Sequence, residues 1–418
     1  MCGMMIETKP YDSDDYGGSC KPEEVNALSS KFDAVVVGAG YAGAVCARSL
    51  AEEGKRVLVL ERRDHVAGNA YDRPDQAGVL IHQYGPHIFH TNDEAVYTWL
   101  SRFTQWRDYQ HRVIANIPAE NGEDRMTYPV PFNLTSLETA FGPEEGRRLG
   151  DKLIEAYGAE RKVTILELRQ NPDPEIAALA DYVYEHVFVH YTVKQWGQKP
   201  EEIDPNTTAR VPIFLSRDDR YFQDKFQGMP LEGYTPMFEK MLDHENITLA
   251  LSVNALEHLT LAGGKISLDG EEFSGSVIYT GQVDELFRFQ YGPLPYRTLD
   301  FRFETLDQDD FQGYGTVNYT VDKPFTRITE FKHLTGQTLP GKTTIVKEFS
   351  KAYGGLPGET PYYAIINPAN NALYGQYKAL ADQYPSLRLL GRLAEYKYYN
   401  MDAIAGRALE LARDLNGQ

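Results

Sequence analysis

The stretch from Lys31 to Asn69 restricts the fold of this chain more than any other part of it. Ala34-Val35-Val36-Val37 is a bounded, β-branched apolar run, the profile of a buried strand. It leads into Gly38-Ala39-Gly40-Tyr41-Ala42-Gly43, a GxGxxG, and then into a small-residue, helix-forming run from Ala44 to Ala51 that Gly54 ends. A second apolar run, Val57 to Leu60, closes on Glu61. Each part has a task in holding a dinucleotide. Gly38 and Gly40 let the backbone turn tightly and approach a pyrophosphate, Gly43 lets the helix pack close to the strand, and Tyr41 and Ala42 start a helix whose unpaired N–H groups face the phosphates. Glu61 stands where an acid accepts hydrogen bonds from a ribose 2′-OH. A GxGxxG alone recurs by chance. Here strand, motif, helix, strand and acid fall in order, which predicts a Rossmann βαβ unit.

In the loop after that acid, Gly68 again permits close backbone approach, with Arg62 and Asn69 flanking it. FAD enzymes of the glutathione-reductase type extend the motif with such a glycine, and by that analogy the expected cofactor is FAD rather than NAD. At 418 residues the chain has room for two or three domains. Its formal charge of −18 argues against nucleic acid or an anionic membrane as partner, and an anionic small substrate would need placed arginines. No apolar run reaches the ~18 residues of a membrane span, so no membrane partner is expected. Cys2, Cys20 and Cys46 have no metal-ligand spacing, which points to a reducing cytoplasm and no metal site. The polar, acidic residues 1–30 read as a disordered tail, not a signal peptide.

Further along, three histidines crowd Ile81 to Thr91 around a Gly-Pro turn, the composition of a loop lining a site. Tyr109 to Ile117 and Met126 to Val130 alternate like paired strands across Asn121-Gly122. Leu134 to about His190 is helical in pattern and suggests a small inserted domain. A Pro-rich, Arg-bearing loop follows, then a helix at Thr235 to Leu242. Short strands are expected at Ile247–Leu251, Ala255–Leu261 and Lys265–Leu268, and a buried strand from Ser276 ends in Thr280-Gly281. Tyr296 to Ile366 is strand-rich without helical crossovers, which predicts an antiparallel sheet. Leu387 to Arg392 reads as a last strand, and Met401 to Leu415 as an amphipathic helix aimed at the cofactor. The expected fold is α/β: a discontinuous Rossmann-like FAD domain (31–100 with 232–295 and 386–418), a helical domain (134–199) and an antiparallel-sheet substrate domain (101–133 with 200–231 and 296–385).

Gly85-Pro86-His87-Ile88-Phe89-His90-Thr91, Tyr191-Thr192-Val193-Lys194-Gln195-Trp196-Gly197, Ala209-Arg210-Val211-Pro212, Arg220-Tyr221-Phe222, Thr326-Arg327-Ile328-Thr329-Glu330 and Gly391 through Asp402 together form a specific set. With them, the chain from about Phe32 onward resembles the UDP-galactopyranose mutases, flavoenzymes that interconvert UDP-galactopyranose and UDP-galactofuranose. Its length is similar to that of the bacterial, dimeric form, so a homodimer is implied. The resemblance implies that Arg210 and Arg327 take the substrate diphosphate, for which guanidinium forks are suited. It implies a nucleotide pocket of Tyr191, Thr192, Trp196, Tyr221 and Phe222, with Phe188 beside it; Val187 stands where the family often has Phe. It also implies Tyr362 and Tyr398 near the diphosphate and sugar, with Asn318 and Asn133 as sugar-side contacts. Asn400 stands where the family commonly has Asp, and keeps a hydrogen-bonding oxygen. Arg392, Tyr399, Met401 and Asp402 fall where the family holds the flavin.

No Ser-His-Asp, paired-carboxylate or metal arrangement stands out in the sequence, which suits a reaction carried by the cofactor. The resemblance implies that FAD acts when reduced, by NAD(P)H or another reductant, and attacks sugar C1 through N5 without net redox. His87 and His90, on the loop after the first FAD segment, are expected near the flavin, His87 facing it and His90 the sugar; the resemblance implies a product that supplies galactofuranose to cell-surface glycans. The alternative on the same fold is an FAD-dependent amine oxidase or desaturase.

Overall fold

Ala34–Val37 lies at the centre of a five-stranded, all-parallel sheet ordered Ile247–Ala250, Val57–Leu60, Ala34–Val37, Ser276–Tyr279, Leu387–Leu389. The structure, a computed structural model, describes residues 31–119, 124–190, 193–194 and 212–417. The Val-rich composition of these strands follows from burial on both faces. Val36 and Val59 face a core with the helices Tyr41–Glu52, Tyr234–Leu242 and Met401–Asn416, while Val35 and Leu58 face a second core with Leu259, Ile266 and Phe273. The strands come from three distant parts of the chain, so this α/β unit is discontinuous.

The second large sheet has seven strands, ordered Tyr363–Ala364, Tyr296–Leu306, Thr343–Ala352, Arg327–Glu330, Thr316–Asn318, Val113–Pro118, Arg125–Val130. It is mixed, not purely antiparallel as expected: Thr316–Asn318 runs parallel to Val113–Pro118. The long intervening connection, which carries strands of the parallel sheet, makes a parallel pair possible where no hairpin could. Register places Ala115, Asn318, Arg327, Glu348 and Phe301 in one row across five strands. The next row on that face is Val113, Thr316, Thr329, Val346 and Phe303. One end of this face, Val113 and Ala115, packs on Leu137, Leu149, Leu153 and Leu179 of the helical segment. The other end, Val346 with Phe301 and Phe303, packs on Val79, Ile81 and Phe331. Between two apolar supports the face is a polar strip.

The helical segment (Leu134–Phe141, Pro143–Tyr157, Ile165–Arg169, Pro174–Val183) thus shares its core with the sheet. It is interrupted by Lys162–Thr164, which pairs with Pro212–Phe214. Ala255–Leu261 is not one strand. Asn254 caps a helical turn, Ala255–His258, by accepting the Leu256 N–H, and the strand follows at Leu259–Ala262. Phe226–Pro230, in a region read as loop, is the middle strand between Phe89–Thr91 and Trp106–Asp108. Pro368–Ala381 is a helix the sequence reading passed over, although Asn367 before Pro368 is a recognisable cap. The Asn121-Gly122 turn lies outside the described residues.

Candidate functional site

A cavity of about 240 Å³ opens at the C-terminal ends of the parallel strands, lined by Val37, Leu60, Tyr279 and the loops that follow them. Gly38 has φ +103°, and a Cβ there would stand 2.2 Å from Thr280 Oγ1. A Cβ on Gly43 would stand 1.9 Å from the Gly38 carbonyl oxygen, so this glycine seats the helix on its strand rather than lining the cavity. Gly68, at φ +56°, would put a Cβ 2.9 Å from Gly40 Cα. Its close approach is therefore to the glycine loop itself, and the Ala67 N–H donates to Ala39 O at 3.0 Å in the same contact. Buried Glu61 joins the two loops: Oε2 accepts from the Ala39 N–H at 2.8 Å and Oε1 from the Arg63 N–H at 2.9 Å.

Donors converge on this space. The Tyr41–Glu52 helix begins at Gly40 with no side-chain cap and no acid in its first turn, leaving its N–H groups for an anion. The helix Met401–Asn416 starts at Asn400, whose side chain also caps nothing, and it brings Met401 to the wall with Asp402 in its first turn. Arg63 lies over the Tyr84 ring at 4.2 Å and donates through Nη2 to Asn69 Oδ1 at 3.0 Å; its Nη1 is buried without a partner among the described residues. Arg62, the arginine singled out from sequence, also lines the cavity; it is exposed and 3.5 Å from Glu285 Oε2. Arg392 donates from Nε to Tyr399 O at 2.7 Å and stands 4.6 Å over Tyr398. Glycine cradle, two uncapped helix starts and an unsatisfied guanidinium N–H fit a dinucleotide diphosphate.

His87 lines the cavity. Its Nδ1 is 2.8 Å from Gly85 O, a pure acceptor, so Nδ1 carries the proton and Nε2 is the free lone pair. The His87 N–H donates to His82 Nδ1 at 3.0 Å, and Tyr234 Oη donates to His87 O at 3.2 Å. Burial pushes His82, His87 and His111 down to about 3, so all three are neutral.

The polar strip meets the cavity lining through Tyr363, which has Arg392 over its ring. Asn318 and Arg327 are direct cross-strand neighbours, Asn318 Oδ1 is buried without a partner among the described residues, and Arg327 Nε is 3.4 Å from Glu348 Oε2. Burial raises the Glu348 carboxyl against the pull of Arg327, and its Oε1 makes no hydrogen bond among the described residues. Tyr363 joins strip and cavity: it stacks on Tyr398 at 6.1 Å and feels Arg392, Arg327 and Glu348. Tyr362, named from sequence, is buried against Phe301, 5.8 Å away. Phe222 stacks on His90 at 3.6 Å, with Tyr221 edge-on to Phe222.

Asn133 is a correction. It is fully buried as the cap of Leu134–Phe141, with Oδ1 accepting the Ser136 N–H and Nδ2 donating to Asp218 O and Asp219 Oδ1, which leaves nothing for a sugar. Val187 is core. Tyr191, Thr192, Trp196, Arg210 and the Phe188 side chain lie outside the described residues. Arg63, Tyr363 and Glu348 were missed, and only Arg63, two residues after Glu61, had a positional signal.

Residues 186–398 match the family model described as UDP-galactopyranose mutase, and 36–103 that of an NAD(P)-binding Rossmann-like domain. A probable UDP-galactopyranose mutase of Klebsiella pneumoniae is 37% identical over 90% of this chain and 93% of its own length. A dTDP-fucopyranose mutase of Escherichia coli is 33% identical over 91% of this chain and 97% of its own. Among solved structures, a reduced UDP-galactopyranose mutase superposes with TM-score 0.67 at 16% identity, covering 92% of this chain and 94% of that one, which attests the fold.

Proposed function

The chain belongs to the UDP-galactopyranose mutase family, and on that footing we propose that it interconverts UDP-galactopyranose and UDP-galactofuranose with FAD as cofactor. The single observation that carries this reading is the polar strip of Asn318, Arg327 and Glu348, joined through Tyr363 and Arg392 to a cavity suited to a dinucleotide. Gly38, Gly40, Glu61, Arg63, Gly68, Asn69, Arg392 and Met401 would hold the FAD. When bound and reduced it would supply a nucleophilic centre for sugar C1, so that the ring can contract without net redox.

The protein's share is binding, orientation and charge. Arg327 would take the diphosphate as a guanidinium fork, with Arg210 as its partner; the Arg327–Glu348 pair keeps that fork oriented before substrate arrives. Tyr363 and Tyr398 offer a stacked aromatic wall beside Arg392. Trp196, Tyr191 and Thr192 would bind the uridine. His87 offers the cavity an acceptor, not a charge. We further propose a cytoplasmic homodimer whose flavin is reduced by NAD(P)H, whose product feeds cell-surface glycans, and whose FAD, helical and sheet units follow the boundaries expected above.

Dithionite-reduced protein incubated with UDP-galactofuranose should yield UDP-galactopyranose by chromatography, many turnovers per reductant consumed. A parallel arm with dTDP-fucofuranose tests the chemistry of the second relative. Product only with stoichiometric loss of reductant or oxygen would replace this reading with an oxidase; no product from either sugar would overturn it.

A further inference from the structure

We propose that His90 and Asp224 form a proton shuttle for the sugar ring, with Asp224 the residue that aims it. This deepens the isomerase reading and rests on it. His90 Nδ1 is 3.0 Å from Asp224 Oδ2, and Asp224 Oδ1 accepts from Asn92 Nδ2 at 2.7 Å. Asn92 cannot turn round, because its Oδ1 accepts the Lys225 N–H at 2.9 Å. Both carboxylate oxygens therefore face donors, Nδ1 of His90 carries its proton, and Nε2 makes no hydrogen bond among the described residues. The ring is held flat on Phe222, 3.6 Å away at 13°. Around it are Asp224, which also acts on Lys162, and the neutral His111, which also feels Arg327.

The chemistry demands such a group. Going from pyranose to furanose, the C1–O5 bond breaks and O5 gains a proton, while C1–O4 forms and O4 loses one. A proton passed from His90 Nε2 to O5 and returned there from O4 leaves protons and electrons balanced. His82, His87 and His111 are held neutral by burial, whereas His90 alone of these four is paired with a carboxylate that can orient its ring.

Asp224→Asn makes the test sharp. With Asn92 fixed, the new amide must keep its oxygen toward Asn92 and turn its NH₂ to His90, forcing the proton from Nδ1 to Nε2. Imidazole ¹⁵N spectra should show the two His90 nitrogens exchanging character. In the reduced enzyme kcat should fall by ~10²-fold or more, with KM and FAD loading within about threefold, and His90→Gly should regain turnover with added imidazole. An exchanged tautomer with kcat undiminished, or a loss confined to KM, overturns the shuttle, as does failure of imidazole to rescue a folded His90→Gly. An unexchanged tautomer overturns the aiming role of Asp224. Wild-type protein inactive in the same assay overturns the isomerase reading first, and the shuttle with it.

Discussion

Among the side chains, Arg63 has the most direct claim to the cofactor. Its Nη2 is spent on Asn69 and its face on Tyr84, while Nη1 waits buried. Arg63→Met keeps the stem and removes the donor, which for a charge-assisted hydrogen bond is worth about 1.5–3 kcal/mol. FAD affinity of the apoprotein, read by flavin fluorescence quenching, should fall ~10–100-fold, and Arg62→Met, which removes an exposed group already paired with Glu285, should cost less. That contrast marks the limit of sequence reading at this scale. Glu61 and Gly68 were legible because local backbone geometry asks for them in order, and His87 because three histidines crowd a Gly-Pro turn. The added parts of Arg63 beside Arg62, and of Tyr363 beside Tyr362, were not, because they turn on which way a side chain leaves the backbone. Asn133 misled for the opposite reason, since a helix cap and a sugar contact use the same amide.

Among the elements, the glycine loop and the loop carrying Gly68 act as one piece, tied by the Ala67 N–H and Glu61. Gly68→Ala would force a left-handed alanine, at about 1–2 kcal/mol, and drive its Cβ to 2.9 Å from Gly40 Cα. The two loops must part. Apoprotein Tm should drop by several degrees and FAD affinity should fall with it, measured by calorimetry and by fluorescence titration. The control substitution Gly78→Ala, also at positive φ but with open space where its Cβ would lie, should lower Tm less and leave FAD binding intact. The parallel sheet was readable because each strand is buried on both faces and reads as an apolar run. Phe226–Pro230 was not, because Gly228 and Pro230 read as breakers; Gly228 is required by the Arg107 carbonyl, 2.8 Å from where a Cβ would lie.

For the molecule as a whole, three buried neutral histidines set a pH signature. His82, His87 and His111 have folded values near 3 against about 6.5 unfolded. Between those values the unfolded chain binds more protons, so stability is full above pH 6.5 and is lost as pH falls toward 3. Each such group contributes a slope of up to about 1.4 kcal/mol per pH unit. Urea midpoints of the apoprotein at pH 7, 6, 5 and 4.5 should show His111→Gln losing less stability on acidification than the parent chain. The discontinuous α/β organisation was legible from the order of apolar runs, but the helical segment's shared core was not. Periodicity says which face of a helix is apolar, not which neighbour covers it.

Asn318, Arg327 and Glu348 stand side by side because three strands are paired in one register. Strand spacing, about 4.8 Å per step, therefore works as a ruler across the substrate gap, with its two ends clamped in separate cores. This has an evolutionary corollary. The connection 319–326 can gain or lose residues without moving a mark on the ruler, whereas one residue inserted within Arg327–Glu330 or Thr343–Ala352 turns the marks to the opposite face. Length changes should accumulate in the connection among descendants of this chain, and the strands should tolerate only replacement.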